Sequence, residues 1–219
     1  MATTAGGLIG ANLPASARGT VGAKSVIHLF MSGGMSHLDT FDPKPGVRSI
    51  QTNVPGVLIS ANLPRLAERM DRITLFRSMS HGQRSHRAAR DEFPFAEDFT
   101  IAGWDTHTDN HARIARPCAT LDRMLSGLLD DLEARGTLSE TLVVVTTEFG
   151  RSAKRNGFGG REHHPAAFTC LLAGGGLGGQ VIGKTSDDGM EVIGETTTPC
   201  DLQSMIAAWR GGSDIRAMA

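Results

Sequence analysis

The chain of 219 residues carries a formal net charge of −1, so its composition gives no basis for a nucleic-acid partner. Hydrophobic residues make up 40% and charged residues 21%, which suffices for a packed core and argues against wholesale disorder. No run approaches the roughly 18–20 apolar residues of a membrane span. The sequence therefore predicts one folded domain of ordinary size without a transmembrane segment.

The first 24 residues differ from the rest of the chain. They are small and weakly apolar, and Ala15-Ser16-Ala17 has the form of a signal-peptidase site, although no positive charge precedes it closely. Two interpretations are open, the remnant of an export signal whose basic start is absent and a disordered extension. We expect an N-terminal extension over residues 1–24 and a single domain over residues 25–215.

Two strands and a helix are predicted in the first part of the domain. Residues 25–31 form an apolar run that ends in glycines, which is typical of a buried strand. Residues 62–71 place apolar side chains at helical spacing, and residues 73–78 predict a second strand. The polar residues that follow the two strands include His37, Asp39, Ser80, Ser85 and His86.

Residues 87–102 show no sustained period and predict only a short bridge between two well-patterned halves. The segment Gly103–His107 then places the carboxylate of Asp105 two residues from the imidazole of His107. Such a pair suits metal ligation. It also suits a turn that caps a helix, because Asp and Thr are common at such positions.

The second half of the chain alternates helices and strands. Residues 109–135 carry an apolar stripe at helical spacing and end at Gly136, a favourable residue after a helix. Residues 141–147 are apolar or β-branched throughout, as in a parallel strand buried on both faces, and residues 168–173 predict another. Residues 199–209 predict a last helix, with Pro199 in its first turn.

This alternation predicts an α/β fold with a mostly parallel sheet and helices on both faces. In such folds, ligands bind beyond the carboxyl ends of the strands. Gly33, Ser78, Glu148 and Gly174 each follow a predicted strand end. We therefore expect the loops that contain them to share one rim of the sheet.

Three clusters of Asp, Glu and His lie in loops along the chain, at residues 103–111, 148–151 and 160–164. Together they suit a metal site with oxygen and nitrogen ligands. For Glu148, a structural ion pair with Arg151 or Arg161 is an equally open interpretation. Each arginine could bind an anionic oxygen through two donors or lie at the surface as a solvated charge.

Four motifs resemble the DUF1501 family in sequence and in order. They are IHLFMSGGMSHLDTFDPKP at residues 27–45, GWDTH at 103–107, TLVVVTTEFGR at 141–151 and GREHHP at 160–165. That family is grouped with alkaline phosphatase-like and sulfatase-like enzymes, so the resemblance implies a three-layer α/β fold of this kind. Family members have a long region before GWDTH where this chain has only residues 87–102, which implies a fold shortened at its centre.

The resemblance also implies roles for individual residues. A divalent ion (Zn, Ca or Mg) would be held by Asp39, Asp105, His107, Glu148 and His163. The catalytic candidates are Ser80, Ser85, His86, Arg151 and Arg161, with the two serines as candidate nucleophiles. Phe149 departs from the pattern, because it stands where the related enzymes have a ligating histidine, and this weakens a two-metal interpretation.

The leading hypothesis is a metal-dependent hydrolase of phosphate or sulfate esters that acts on a small molecule or a polysaccharide. By resemblance, we expect the protein to be exported to the periplasm or the cell surface. The alternative is a shortened, catalytically inactive relative that acts as a binding or structural protein, or a non-functional fragment. A third hypothesis is a single-metal enzyme of different chemistry. The oligomeric state is left open.

Overall fold

The structure, a computed structural model, describes residues 25–91 and 99–213. The predicted extension at residues 1–24 lies outside the described residues, as do residues 92–98 and 214–219. Within the described ranges, no helix is long and apolar enough to cross a membrane. The domain boundaries at residues 25 and 215 stay a prediction.

The described chain forms short strands, a six-stranded central sheet and several helices. In chain order the strands are β1 (Ser25–Ser32), β2 (Ser49–Gln51), β3 (Leu58–Ser60), β4 (Ile73–Met79), β5 (Phe99–Ala102), β6 (Thr141–Thr147), β7 (Gly150–Arg155), β8 (Arg161–His164), β9 (Phe168–Gly174), β10 (Gln180–Ile182), β11 (Lys184–Thr185) and β12 (Val192–Ile193). The helices are α1 (Pro64–Ala67), α2 (His86–Asp91), α3 (Asn110–Arg113), α4 (Ala115–Ala134) and α5 (Pro199–Arg210). The central sheet has the order β10, β4, β9, β6, β1, β5.

The sheet is mostly parallel, and β9 is the strand that runs against its neighbours. β1 pairs in parallel with β5 and β6, and β10 pairs in parallel with β4. By contrast, β9 is antiparallel to both β4 and β6. The predicted mostly parallel α/β fold is therefore confirmed, but the prediction of a parallel strand over residues 168–173 is wrong.

The direction of β9 also corrects the expected rim. Gly174 lies opposite Leu142, near the beginning of β6, so its loop is at the other edge of the sheet from Glu148. A strand that is buried throughout carries no signal of direction in its sequence. The connection decides it, because β6 is followed by the antiparallel β7–β8 hairpin instead of the crossover helix that a parallel pair needs.

Helices cover both faces of the sheet, as predicted. On one face, Leu121, Leu125 and Leu129 of α4 are fully buried against alternate residues of β1, β4, β6 and β9. On the other face, α5 buries Leu202 and Trp209 against the intervening residues. Burial of each leucine contributes roughly 1.5–3 kcal/mol. The apolar interface on each face therefore holds its helix on the sheet.

Three of the predicted segments differ from the elements that the structure describes. The helix predicted over residues 62–71 is only the short α1 followed by a 3-10 turn at Met70–Arg72. The helix predicted over 109–135 is divided into α3 and α4 at Ile114. The predicted bridge contains α2 and the edge strand β5, which was missed because four residues are too few to show a period.

Candidate functional site

The segment Gly103–His107 follows the edge strand β5 and packs against the end of β1. Gly33, directly after β1, has φ +115°, and a Cβ there would lie 2.5 Å from the backbone nitrogen of Asp105. Only glycine combines this backbone conformation with so close an approach. The Ser-Gly-Gly turn therefore lets the Asp105 loop lie directly over the end of the central strands.

Asp105 lies at the centre of three imidazoles. Its Oδ1 is 3.1 Å from Nε2 of His107 and 3.4 Å from Nε2 of His163, and its Oδ2 is 3.6 Å from Nε2 of His86. We call these four residues the Asp105 cluster. The ligand atoms of His86, Asp105 and His163 lie within 4.8 Å of one another, a spacing that a metal ion could bridge.

The Asp105 cluster is accessible to a ligand. The side chains of Asp105 and His107 are 49% and 40% exposed, and that of His86 is 38% exposed. The structure thus brings together three predicted metal ligands, Asp105, His107 and His163. It adds His86, which the sequence placed among the catalytic candidates.

Arg151 lies beneath the Asp105 cluster and is completely buried. Its Nη2 donates to Oδ1 of Asp105 at 2.5 Å and to the carbonyl of Gly33. Its Nε donates to the carbonyl of Gly34 at 3.0 Å, and its Nη1 donates to the carbonyl of Arg161 at 2.9 Å. These contacts occupy the donors that would otherwise bind a substrate oxygen, so Arg151 holds Asp105 in place.

Glu148 is buried and has an unexpected set of partners. Its carboxylate accepts the backbone N–H groups of Gly33, at 2.9 and 3.1 Å, and of Gly34, at 2.9 Å. Nδ1 of His86 lies 3.3 Å from its Oε1. Its carboxylate pairs directly with neither Arg151 nor Arg161. It connects the end of β6 to the turn after β1, and it touches the Asp105 cluster only through His86.

Phe149 packs its ring beside two of the imidazoles. The ring centroid is 4.2 Å from that of His163 and 5.0 Å from that of His86. The phenyl ring is fully buried and fits against Gly34, where a Cβ would lie 2.4 Å from it. The residue that the resemblance marked as a departure thus supports the cluster through packing.

Asp39 and Arg161 lie apart from the Asp105 cluster and pair with each other. Nε of Arg161 is 2.9 Å from Oδ2 of Asp39, and both side chains are buried. The same carboxylate accepts hydrogen bonds from Ser36 at 2.6 Å and from Asn110 at 3.0 Å. Nη1 of Arg161 donates to the carbonyls of Ser152 and Ala153. This network ties the loop after β1 to α3 and to the β7–β8 hairpin.

The two serines proposed as nucleophiles occupy different positions. Ser85 is exposed, and its hydroxyl accepts the backbone N–H of Ala88 at 3.2 Å, as the N-cap residue of a helix does. Ser80 is half-buried, and its backbone N–H donates to the carbonyl of Thr197 at 3.1 Å. Their predicted role as nucleophiles stays a prediction.

Burial, hydrogen bonds and nearby charges shift the pKa values of Asp105 and His163. Partial burial raises the pKa of Asp105, but the hydrogen bond and the charge of Arg151, with the histidines, outweigh burial and lower that pKa below its ordinary value. Burial lowers the pKa of His163, and the hydrogen bond to the carbonyl of Arg84 only partly opposes this effect. Both shifts favour an ionised carboxylate beside a neutral imidazole, the protonation states of metal ligands.

One residue of the site was missed by the sequence reasoning. Glu162 lies behind His107, with its Oε2 2.9 Å from Nδ1 of the imidazole. The side-chain amide of Asn156 donates to Oε1 of Glu162 at 2.5 Å and to the carbonyl of His107 at 2.9 Å. The proximity of Glu162 to His163 in the sequence was the available signal, but its partner on another loop is set only by the β7–β8 hairpin.

The protein is an α/β domain with a cluster of Asp and His beyond the ends of parallel strands. The family model described as "Protein of unknown function (DUF1501)" matches residues 23–95 and 87–216, which together cover most of the chain. The chain belongs to the DUF1501 family. The predicted resemblance is thereby confirmed. None of the curated proteins matches the chain.

Among solved structures, the chain is similar to the phosphonate monoester hydrolase SpPMH from Silicibacter pomeroyi. The TM-score is 0.30 and the sequence identity is 19%, over 46% of this chain and 19% of that chain. The chain thus spans less than a fifth of the length of that protein. A likeness of this extent carries no information about activity or substrate.

Proposed function

We propose that the protein is a metal-dependent hydrolase of phosphate or sulfate esters, exported from the cytoplasm. The observation that carries the proposal is the convergence of His86, Asp105 and His163 within 4.8 Å, at an exposed site beside the buried cation of Arg151. The family is described as one of unknown function, so membership assigns no activity to the chain. The proposal therefore depends on this arrangement of side chains and on the sequence resemblance.

The donor set suits a divalent cation. Asp105 is held ionised by Arg151, and the three histidines direct ring nitrogens toward it. A bound divalent ion would act as a Lewis acid on the ester oxygens. The N–H groups of Arg151 and Arg161 donate to carbonyls inside the protein. The negative charge of the substrate would therefore be neutralised by the metal ion at the Asp105 cluster.

The test is metal content and ester hydrolysis of purified protein and two variants, Asp105→Ala and His163→Ala. We expect near-stoichiometric metal in the wild type and its loss in both variants. With p-nitrophenyl phosphate and p-nitrophenyl sulfate as substrates, we expect kcat/KM to fall by at least about 100-fold, as for removal of a metal ligand or its partner. His111→Ala is the matched control, because His111 is exposed in α3 and outside the cluster. Full activity in both variants would contradict the assignment of the Asp105 cluster as the metal site of a hydrolase.

A second candidate function is that of a shortened, inactive relative. The family model matches the chain in two segments, which overlap at residues 87–95. The sequence resemblance implies that the chain is shortened at this point. In addition, the guanidinium of Arg151 already pairs with Asp105. A folded protein that binds no metal would favour this candidate, whereas stoichiometric metal without ester hydrolysis would favour a single-metal enzyme of different chemistry.

A further inference from the structure

The three histidines of the Asp105 cluster are oriented in the same way. Each directs Nε2 toward Asp105 and has an oxygen atom near its Nδ1. The oxygen is Oε2 of Glu162 at 2.9 Å for His107, the carbonyl of Arg84 at 2.8 Å for His163, and Oε1 of Glu148 at 3.3 Å for His86. A ring proton on each Nδ1 would satisfy these oxygens and would leave the lone pair of each Nε2 available to a metal ion.

The lone pairs then face one another. Nε2 of His107 and Nε2 of His163 are only 2.9 Å apart. With both ring protons on Nδ1, neither nitrogen can donate to the other, and the ionised Asp105 beside them accepts as well. The guanidinium of Arg151 meets this group from the buried side, with Nη2 2.5 Å from Oδ1 of Asp105 and Nη1 3.5 Å from Nε2 of His107. In this tautomer the 2.9 Å contact between the two Nε2 atoms has no proton between them, which suits a shared metal ion.

The spacing of these atoms matches one coordination shell. Nε2 of His107, Nε2 of His163 and Oδ1 of Asp105 are separated by 2.9, 3.1 and 3.4 Å. Four ligands placed tetrahedrally about 2.0–2.1 Å from Zn²⁺ are separated by roughly 3.3 Å. His86 faces the other oxygen of Asp105 at 3.6 Å, and its ligand atom lies within 4.8 Å of that of His163, so it is the candidate for the fourth ligand.

The cluster offers few oxygen ligands. The carboxylate of Glu148 is held by the amides of Gly33 and Gly34, and that of Glu162 is held by Asn156 and His107. Asp105 therefore remains as the carboxylate of the cluster that is directed at the histidines. Ca²⁺ needs six to eight oxygen ligands and Mg²⁺ about six, whereas imidazole nitrogen suits Zn²⁺ and its neighbours among the transition metals.

We propose that His86, His107, His163 and Asp105 form a single nitrogen-rich site for a Zn²⁺-type ion, in which Glu162 acts as a positioning residue for His107. This inference deepens the proposed function by naming the metal class and the ligands. It rests on that function only in assuming that a metal is bound. Because it concerns binding, it can be tested without any substrate.

The experiment measures binding of Zn²⁺, Co²⁺ and Ca²⁺ to metal-free protein by isothermal titration calorimetry, with a chelator as competitor for Zn²⁺. The visible absorption of the Co²⁺ form reports coordination number. We expect one Zn²⁺ per chain, no competition from millimolar Ca²⁺, and the intense visible bands of four-coordinate Co²⁺. Zn²⁺ affinity should fall at least 100-fold in His107→Ala and in His86→Ala, and 10–100-fold in Glu162→Ala.

Two controls separate a positioning role from a loss of structure. Glu162→Gln keeps an oxygen that can accept from Nδ1, so it should recover most of the affinity that Glu162→Ala loses. Glu191→Ala removes an exposed carboxylate elsewhere and should leave binding unchanged. Unfolding midpoints of the metal-free variants show whether each protein is folded.

The inference is overturned if His107→Ala or His86→Ala binds Zn²⁺ as tightly as the wild type, or if Ca²⁺ displaces Zn²⁺ at comparable concentration. A folded wild type that binds no metal also overturns it, together with the proposed function. Tight Zn²⁺ binding without ester hydrolysis would support the site and contradict the hydrolase alone.

Discussion

At the scale of single residues, side chains with similar sequence signals serve different purposes. His163 and His37 both occur in motifs that resemble the family. His163 lies in the open Asp105 cluster, whereas His37 is fully buried and its Nε2 lies 2.8 Å from the carbonyl of Gly189. His37 thus fastens the β11–β12 hairpin to the loop after β1.

The burial of His37 predicts a pH dependence of stability. Burial lowers the pKa of His37 from 6.5 to about 4, although Gly189 and the nearby Asp42 and Asp39 oppose the shift. As pH falls from 6.5 to 4, the unfolded chain therefore takes up a proton that the folded chain does not, and the free energy of unfolding decreases. The slope contributed by one such group is at most about 1.4 kcal/mol per pH unit.

We expect His37→Gln to remove this contribution, because a Gln amide can still donate to Gly189 but does not titrate. The measurement is urea unfolding at pH 4.5, 5.5, 6.5 and 7.5. His111→Gln is the control, since His111 is exposed and should keep the wild-type slope. Equal slopes for wild type and His37→Gln would show that His37 does not carry the dependence.

At the scale of elements, the helices differ in what holds them. α5 carries its own start signal, since Thr198 accepts the backbone N–H of Asp201 and Asp201 accepts that of Thr198. This reciprocal capping box and Pro199 both lie within the segment, so the start of α5 is fixed by its own sequence. By contrast, α1 is short and depends on Asp122 of α4, which accepts the backbone N–H groups of Arg65 and Leu66.

For α5, we expect Thr198→Ala to lower the free energy of unfolding by about 1 kcal/mol, because the cap of the helix is lost. Thr196→Ala is the matched control, since Thr196 is exposed two residues before the cap. Chemical unfolding of the two variants under identical conditions provides the comparison. If Thr198→Ala lowers the free energy of unfolding no more than Thr196→Ala does, the role of the capping box is contradicted.

At the scale of the whole molecule, the question is whether the chain folds as one unit. The two tryptophans report on opposite faces of the sheet, because Trp104 packs in the core that α4 covers and Trp209, a residue of α5, packs in the core on the other face. Both are almost completely buried. Each can therefore follow the unfolding of one face separately.

We expect Trp104→Phe and Trp209→Phe each to unfold in a single transition. In each variant, the fluorescence of the remaining tryptophan should coincide with the loss of secondary structure by circular dichroism. A fragment that lacks part of its sheet should instead lose one face before the other. Transitions that do not coincide within one variant would favour the non-functional fragment among the alternatives.

Much of the fold could be predicted because its signals are local. The runs at residues 25–31, 73–78, 141–147 and 168–173 all became strands, and the stripe of Leu121, Leu125 and Leu129 became the buried face of α4. β5 and the β7–β8 hairpin were missed, since their residues are few and lack a clear alternation of apolar and polar side chains.

By itself, the sequence determined the longer buried strands and helices, the mixed α/β class and the family. It also determined the segments that carry the chemistry, because apolar periodicity and motif residues are properties of neighbours in the chain. Only the tertiary structure decided that β9 runs antiparallel, that Glu148 binds the amides after β1, and that Glu162 contacts His107. Those outcomes depend on pairs of groups far apart in sequence, whose meeting is fixed by sheet order and loop packing.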